Sequence, residues 1–200
     1  PEQHDRLLDL CAAPGGKSTH LAELMQDEGE VWALERNESR VASLEATVKR
    51  LGTHAVHVVH GDGYTYTFPM PFDRVLVDAP CSGLGTLRRN PDLKWRQSPQ
   101  AVAELQLKQQ AILNSAARLL KPGGRLVYAT CSLMPAENEV VAAAFSEQHK
   151  DMIPVDAREV LERNGVTDAE ALVTPLGHLR LWPHRHATDG FYAAVWDKKA

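Results

Sequence analysis

The sequence has 200 residues, of which 44% are hydrophobic and 24% are charged. These proportions are those of an ordinary globular domain, and they exclude a disordered chain, a collagen and a coiled coil. Lysine and arginine number 22 against 26 aspartate and glutamate residues, so the formal net charge is −4. Any binding of nucleic acid must therefore come from local basic patches.

The sequence also bounds the compartment and the type of site. No run of about 18 apolar residues occurs, so we expect no membrane span, and no secretory signal is recognisable. Three widely spaced cysteines, Cys11, Cys81 and Cys131, suit neither a disulfide framework nor a structural zinc site. We therefore expect free thiols, no metal and a cytoplasmic protein. Because the chain runs almost at once into a strand, we also expect that it is a fragment lacking upstream regions.

The hydrophobic pattern predicts alternating strands and helices. Short apolar runs predict strands over residues 6–10, 30–34, 56–60, 73–77 and 125–130. Capping and stop residues predict helices over 17–26, from Asn37 to Gly52, from Ser98 to the Pro-Gly-Gly of 122–124, and over 136–148.

The last quarter of the chain is less regular. Residues 150–178 lack clean periodicity, and we predict an insertion of loop and short helix there, within one domain spanning 1–200. Two last strands are predicted over 179–182 and 191–197, and the turn signal Asp189-Gly190 between them favours an antiparallel closing strand. The whole pattern predicts an α/β fold with a mainly parallel seven-stranded sheet, an antiparallel last strand and helices on both faces.

Polar and cysteine residues follow five of the predicted strands. In sheets of this kind, ligands bind outside the carboxyl ends of the strands, where residues distant in sequence become neighbours. We therefore expect one crevice lined by Asp9, Cys11, Glu35, Asp62, Asp78, Cys81 and Cys131.

The glycine-rich turn after the first strand leaves two cofactor classes open. A-P-G-G-K-S at 13–18 invites a phosphate-loop interpretation, and V-L-V-D at 75–78 could serve as its Mg²⁺-binding strand. However, the phosphate loop requires a glycine where this chain has Cys11, and the dinucleotide pattern G-x-G-x-x-G is absent. A nucleotide hydrolase therefore remains the weaker alternative.

Two acidic residues favour an adenosine without phosphates. Glu35 at the end of the second strand can accept hydrogen bonds from two ribose hydroxyls, and Asp62 can accept one from an exocyclic amine. This set suits S-adenosylmethionine. Alternatively, Glu35 is a solvated acid at a strand end and the glycines only make a turn.

Six segments carry a resemblance to a known family. They are D-x-C-A-A-P-G-G-K (9–17), D-A-P-C-S-G (78–83), R-R-N-P-D-L-K-W (88–95), K-P-G-G-x-L-V-Y-A-T-C-S (121–132), P-x-E-N (135–138) and D-G-F-Y (189–192). The chain resembles the Sun/Nop2 family of RNA cytosine-C5 methyltransferases, above all its bacterial members that act on small-subunit ribosomal RNA. The resemblance implies a Rossmann-like class I methyltransferase sheet, S-adenosylmethionine as cofactor, and N-terminal RNA-binding regions in complete members.

The chemistry of such an enzyme assigns roles to particular side chains. Cytosine C5 becomes nucleophilic only after a thiolate adds at C6, and a group must later help to expel that thiolate. The resemblance implies that Cys131 is the nucleophile and that Cys81 assists release, whereas DNA cytosine methyltransferases use the equivalent of Cys81 as nucleophile. Asp78 fits the acid that activates the base, and the resemblance implies that Lys17 orients Asp78. The expected cofactor residues are Cys11, Ala12, Ala13, Pro14, Gly15, Gly16, Lys17, Glu35, Asp62 and Asp78.

Basic residues after Cys81 predict an RNA contact. Positive charge and a stacking surface come from Arg88, Arg89, Lys94, Trp95 and Arg96, against the single acid Asp92. The alternative is a solvated basic loop with a tryptophan in the core. A second, weaker patch is expected to face the surface or the RNA and consists of His178, Arg180, His184, Arg185 and His186. The segment 189–192 is either part of the pocket or a turn and a packed strand.

These observations predict a monomeric enzyme that makes 5-methylcytosine in small-subunit (16S) ribosomal RNA. Two alternatives remain open. One is the same chemistry on transfer RNA or another RNA. The other is a non-catalytic RNA-binding or ribosome-assembly factor with the same fold, which the presence of both cysteines and Asp78 disfavours.

Overall fold

All residues, 1–200, are described by a computed structural model of the chain. The strands are β1 (Arg6–Asp9), β2 (Glu30–Glu35), β3 (Val56–His60), β4 (Phe72–Asp78), β5 (Leu120–Thr130), β6 (Met152–Val155), β7 (Leu179–Leu181) and β8 (Phe191–Lys198). The helices are α1 (Gly16–Leu24), α2 (Glu38–Leu51), α3 (Leu93–Arg96), α4 (Pro99–Leu119), α5 (Glu139–Gln148), α6 (Ala157–Arg163) and α7 (Pro183–His186). Short 3-10 turns lie at Leu84–Thr86, Pro135–Glu137 and Ala169–Leu172.

All strands belong to one twisted sheet. Its order is β3-β2-β1-β4-β5-β8-β6, and β7 pairs with β8 beside this path. The first five strands in this order pair in parallel, whereas β8 is antiparallel to β5, β6 and β7. The predicted α/β fold, with its mainly parallel sheet and antiparallel last strand, is thereby confirmed.

The strand count differs from the prediction: the sheet has eight strands instead of seven. The additional strand, β6, lies in the segment 150–178, where we expected only loop and short helix. It pairs with β8 from Met152 opposite Lys198 to Val155 opposite Val195. Because β6 is a short edge strand, it tolerates Pro154, and that proline conceals the strand in the sequence. The expected short helix follows as α6.

Helices cover both faces of the sheet, as predicted. Adjacent side chains of a strand point to opposite faces, and Leu7 and Leu8 of β1 belong to two different cores. Leu8 packs in a cluster with α4 and α5, whereas Leu7 packs in a cluster with α1 and α2. None of the helices combines the length and the apolar character that crossing a membrane would require.

The pairing register brings the carboxyl ends of the central strands to one edge of the sheet. Asp9 of β1 lies beside Ala33 of β2 on one side and Leu76 of β4 on the other. Asp78, the last residue of β4, pairs with Ala129 near the end of β5. The turns that follow these strands therefore lie next to one another.

The core beneath that edge can be tested with two leucines of α4. Leu113 is fully buried, whereas Leu107 in the same helix is 67% exposed. Because Leu113→Ala leaves a cavity, we expect it to lower the free energy of unfolding by about 3 kcal/mol. Leu107→Ala should change it by less than about 0.5 kcal/mol in a urea titration. Equal effects of the two substitutions would contradict this placement of the core.

Candidate active site

A cavity of about 570 Å³ lies at the carboxyl ends of the central strands. Its volume is within the range of small-molecule sites in proteins. Seven of the residues singled out from the sequence line it: Cys11, Ala13, Glu35, Asp62, Asp78, Cys81 and Cys131. The structure thus brings together side chains that are up to 120 positions apart in the chain.

The glycine-rich turn contributes less of the cavity wall than its sequence suggests. Ala12, Pro14, Gly15 and Gly16 lie outside the lining. Gly15 has a φ of 102°, and a Cβ there would lie 2.7 Å from a methyl group of Leu44. This glycine therefore lets the turn pack closely against α2. Of the residues of the turn, Cys11 and Ala13 line the cavity.

Glu35 is buried at the end of β2 and is held in place from two sides. Its Oε1 accepts a hydrogen bond of 2.9 Å from the backbone N–H of Asn37, and its Oε2 lies 3.3 Å from Nη1 of Arg40. Arg40 also donates from Nη2 to the carbonyl oxygen of Ala13 at 2.5 Å. Sequence reasoning missed Arg40, which ties the glycine-rich turn to the acid. Each carboxylate oxygen still has a free lone pair for a ligand.

Asp62 also lines the cavity. Its Oδ1 accepts a hydrogen bond of 2.9 Å from the backbone N–H of Tyr64. Its Oδ2 lies 3.3 Å from Nε of Arg36, another residue that sequence reasoning did not identify. Glu35 and Asp62 are thus two fixed acceptors, each beside an arginine that limits the negative charge of the cavity.

The thiols of Cys81 and Cys131 are in direct contact. Their Sγ atoms are 3.4 Å apart, and both side chains are half-buried. The hydrogen bond from Cys81 lowers the pKa of Cys131, assisted by the positive charge of Lys17. The same hydrogen bond, together with burial, raises the pKa of Cys81. One thiol of the pair is therefore poised to become the thiolate while the other keeps its proton.

Lys17 and Asp78 form an ion pair at the wall of the cavity. Nζ of Lys17 donates to Oδ2 of Asp78 at 2.6 Å. Burial disfavours the charged ammonium, but its hydrogen bond and attraction to Asp78 outweigh that cost, and the pKa of Lys17 is raised. Nζ also lies 5.9 Å from the ring centroid of Phe191. The lysine fixes the orientation of the Asp78 carboxylate.

Asp9 is a buried acid directly behind this ion pair. Its Oδ2 accepts a hydrogen bond of 2.8 Å from the hydroxyl of Ser18, and its Oδ1 accepts a long one from the N–H of Cys11. Burial, with a further contribution from the negative charge of Asp78, raises the pKa of Asp9 to about 6. The carboxyl group closes the turn between β1 and α1.

A buried polar network lies beneath the two cysteines, and sequence reasoning did not anticipate it. Its centre is Glu137, whose side chain is fully buried. The predicted helix over 136–148 begins only at Glu139, because the preceding residues bond to the sheet instead. The hydroxyl of Tyr128 donates to the carbonyl oxygen of Glu137 at 2.6 Å, and Asn138 has non-helical dihedral angles.

The basic residues after Cys81 are all exposed, and α3 carries two of them, Lys94 and Arg96. Trp95 is 81% exposed, so it is a surface residue and not a core tryptophan. Partners within the chain engage several of the cations: Arg96 pairs with Asp92, Arg89 pairs with Asp189, and Arg88 donates to the carbonyl oxygen of Ala187. Lys94 stays beside the Trp95 ring, 4.9 Å from its centroid.

The prediction of a second basic patch on the surface is largely wrong. Arg180 is only 4% exposed, because its guanidinium packs 4.3 Å from the ring centroid of Trp182 and donates to the carbonyl oxygen of Leu133. His178 is half-buried and hydrogen-bonded to the hydroxyl of Tyr192. Nδ1 of His186 accepts from the N–H of Trp182. Only His184 and Arg185 remain exposed.

None of residues 189–192 lines the cavity, so the structure favours the interpretation of this segment as a turn and a packed strand. Phe191 and Tyr192 belong to β8, so the segment is partly a packed strand. The N–H of Gly190 donates to the carbonyl oxygen of Gly85, and the N–H of Gly85 donates to that of Cys131, each at 2.8 Å. The turn therefore also supports the backbone of Cys131.

Comparison with known proteins gives one consistent result for the sequence. The family described as 16S rRNA methyltransferase RsmB/F matches residues 1–197. The probable ribosomal RNA small subunit methyltransferase B of Synechocystis sp. is 45% identical over 197 residues, which are 97% of this chain and 43% of that protein. Ribosomal RNA small subunit methyltransferase F of Aeromonas salmonicida is 40% identical over 190 residues, 94% of this chain and 39% of the relative. The chain thus spans about two fifths of the length of these relatives.

Comparison with solved structures finds similar folds over nearly the whole of this chain. NSun6 from Pyrococcus horikoshii, solved with SFG, has a TM-score of 0.84 and 30% identity, over 100% of this chain and 49% of that one. A methyltransferase homolog protein from the same organism has a TM-score of 0.80 and 30% identity, over 99% of this chain and 63% of the other.

Asp9 gives a test of the site through the pH dependence of stability. Its pKa is about 6 in the folded chain against an ordinary 3.8, so the folded chain keeps a proton that the unfolded chain loses over this interval. The free energy of unfolding therefore falls as the pH rises from about 4 to about 6, by about 3 kcal/mol.

Asp9→Asn removes this loss, so its stability relative to the parent should rise by up to about 3 kcal/mol between pH 4 and pH 7. Urea titrations at both pH values measure the difference. Asp168→Asn, at an exposed position, serves as the control and should differ from the parent by the same amount at both pH values. A pH-independent difference for Asp9→Asn would refute the buried acid.

Proposed function

Because the chain belongs to the 16S rRNA methyltransferase RsmB/F family, we propose that it methylates C5 of a cytosine in small-subunit ribosomal RNA, with S-adenosylmethionine as methyl donor. The observation that carries the proposal is the pair of thiols 3.4 Å apart, in one cavity with Asp78, whose carboxylate Lys17 holds from outside the lining. We expect the enzyme to act as a monomer in the cytoplasm.

The residues around the cavity fit the proposed cofactor. Glu35 is a buried carboxylate with free acceptor capacity for two ribose hydroxyls, and Asp62 offers an acceptor for an exocyclic amine. Cys11 and Ala13 form the wall between them and the thiols. When bound, S-adenosylmethionine supplies a methyl group on a positively charged sulfur.

Cys131 is the proposed nucleophile. Its lowered pKa favours the thiolate, whose sulfur forms a bond to C6 of the cytosine while the electrons of the C5–C6 double bond move into the ring. Asp78, oriented by Lys17, is proposed to share a proton with N3, and this proton neutralises the negative charge that develops there. The electron pair then returns to C5, which becomes able to take up the methyl group.

Cys81 is the proposed group for release. Once Cys131 is bonded to C6, Cys81 no longer donates to a neighbouring thiolate and can lose its proton to solvent. The thiolate so formed is a strong base, because the pKa of Cys81 is raised, and it lies next to the sulfur of Cys131. Removal of the C5 proton by Cys81 restores the C5–C6 double bond and expels the Cys131 thiolate. The two cysteines thus act at different steps on adjacent atoms of one ring.

The target base must leave its stack to reach these groups. The basic loop after Cys81 is proposed to hold the flanking RNA, because Nε2 of Gln97 donates to the carbonyl oxygen of Ser82 and so keeps the end of the loop next to the turn that carries Cys81. Exposed Lys94 and Trp95 offer a phosphate contact and a stacking surface.

The division of labour between the cysteines predicts different products for two variants. Cys81→Ala should accumulate a covalent RNA–protein adduct, because the Sγ–C6 bond forms but is not resolved. Cys131→Ala should form no adduct and lose methylation by at least about 10³-fold. Denaturing gels of radiolabelled RNA and transfer of labelled methyl groups measure both, and the double variant serves as the adduct-free control.

Three outcomes would contradict the proposal in different ways. An adduct with Cys131→Ala instead would reverse the two roles. Methylation of transfer RNA but not of small-subunit ribosomal RNA would change the substrate. Absence of any methyl incorporation by the parent chain with either RNA would favour a non-catalytic RNA-binding protein.

Cofactor choice is tested separately by calorimetry. We expect S-adenosylmethionine to bind, and Glu35→Gln to weaken its Kd by about tenfold or more, since a neutral amide accepts from the ribose hydroxyls less strongly. Glu38→Gln, an exposed acid three residues further on, is the control and should leave the Kd unchanged. Binding of ATP with Mg²⁺, and none of S-adenosylmethionine, would instead support the phosphate-loop alternative.

A further inference from the structure

A single buried carboxylate joins the two cysteine turns. Oε1 of Glu137 accepts hydrogen bonds from the N–H of Ser82 at 2.8 Å and from Nε2 of Gln109 at 3.1 Å. Its Oε2 accepts from the hydroxyl of Ser82 at 2.5 Å and from the hydroxyl of Ser132. Four donors therefore converge on one side chain that is fully shielded from solvent.

The two serines are the immediate neighbours of the two cysteines. Ser82 follows Cys81 in the turn after β4, and Ser132 follows Cys131 in the turn after β5. Their hydroxyl oxygens are also 3.1 Å apart. Because Glu137 bonds to both serines, the position of one cysteine turn is fixed relative to the other.

We propose that Glu137 is a positioning residue that sets the separation of the two catalytic sulfur atoms. It touches neither the cavity lining nor the thiols, so it acts through Ser82 and Ser132. The inference deepens the proposed function, because a separation of 3.4 Å lets one thiol hold C6 while the other reaches the proton on C5.

The carboxylate is itself rigidly held. The backbone carbonyl of Glu137 accepts from Tyr128, and the side chain of the next residue, Asn138, bonds to Thr130 and to the carbonyl oxygen of Ser132. These partners lie on β5 or in the turn after it. Hydrogen bonds of this kind, from the strand and from the turn that follows it, fix the position of Glu137 closely.

A purely structural acid would stabilise the fold without controlling the thiols. The distinguishing readout is the rate at which diamide, a diazene oxidant, joins the two sulfurs. The oxidant takes up two electrons and two protons, and one disulfide bond forms between Cys81 and Cys131. In excess diamide one thiolate first adds to the oxidant, and the other thiolate then displaces the reduced diamide as the disulfide forms. The rate of this second step depends on how closely the sulfurs approach, and it requires neither RNA nor cofactor.

We expect Glu137→Gln to slow the formation of this disulfide by about tenfold or more, as measured by mass spectrometry of the linked peptides. An amide nitrogen in place of Oε2 must donate to the two serine hydroxyls, which then turn their own protons elsewhere, and bonds to a neutral amide hold the turns less firmly than bonds to a carboxylate. Phe145→Leu, a core substitution in α5 whose ring packs against Trp196 of β8, is the control for a general loss of stability and should leave the rate unchanged.

Glu137→Gln should lower the kcat of methyl transfer without changing the KM for S-adenosylmethionine. Displacement of reacting groups by about 1 Å costs on the order of 10²-fold in rate, so kcat should fall by that factor. The KM for S-adenosylmethionine should stay within about twofold, because Glu137 lies outside the cavity lining.

Two milder variants keep the test decisive if Glu137→Gln does not fold. Ser82→Ala and Ser132→Ala each remove one hydroxyl donor, and each should slow the disulfide reaction. Ser132→Ala should slow it more, because the backbone N–H of Ser82 still donates to Glu137 in Ser82→Ala. The two effects should be non-additive in the double variant, since both hydroxyls bond to the same carboxylate oxygen. Unchanged rates in Glu137→Gln, or additive effects of the serine changes, would overturn the positioning role.

This inference and the proposed function fail in distinguishable ways. Slow disulfide formation in Glu137→Gln, with no methylation by the parent chain, would retain the positioning role and reject the methyltransferase. Normal methylation by the parent, with an unaffected disulfide rate in Glu137→Gln, would retain the methyltransferase and reject the positioning role.

Discussion

The contact between the thiols of Cys81 and Cys131 is the constraint on which the rest of the site depends. It follows from the parallel pairing of β4 and β5, which aligns Asp78 with Ala129 and brings the two following turns to the same edge of the sheet. Neighbouring parallel strands end side by side, so the residues immediately beyond them meet without any special loop. The fold therefore supplies the closeness of the sulfurs, and local hydrogen bonds refine it.

Charge in the cavity is arranged in pairs. Asp78 is matched by Lys17, and Glu35 is matched by Arg40. Such pairing lets several carboxylates share one small volume while each retains acceptor capacity for a ligand. Asp9 is the exception, since it has no cation within hydrogen-bonding distance and holds its proton to a higher pH. The local balance also explains how a chain with a net charge of −4 can present a cavity suited to a positively charged cofactor.

Sequence patterns were sufficient for residues whose position follows from strand ends. Cys131 and Asp78 were predicted in one crevice because each directly follows or ends an apolar run, and the register of the sheet does the rest. The environment of residues that depend on tertiary contacts could not be predicted from the sequence. Arg180 looks like a surface cation in sequence, yet aromatic rings of later elements bury it. Glu137 resembles an ordinary acid at a helix start, and only the folded chain reveals two serines from different turns above it.

Capture of a substrate RNA carrying 5-fluorocytidine is the most direct measurement of the central claim, that the two cysteines act in sequence on one cytosine. Fluorine at C5 cannot leave as a proton does, so the adduct to the nucleophile persists after methyl transfer. Digestion and mass spectrometry should find the methylated nucleotide attached to the peptide that contains Cys131. Attachment to the Cys81 peptide, or no covalent product in the presence of S-adenosylmethionine, would contradict the account.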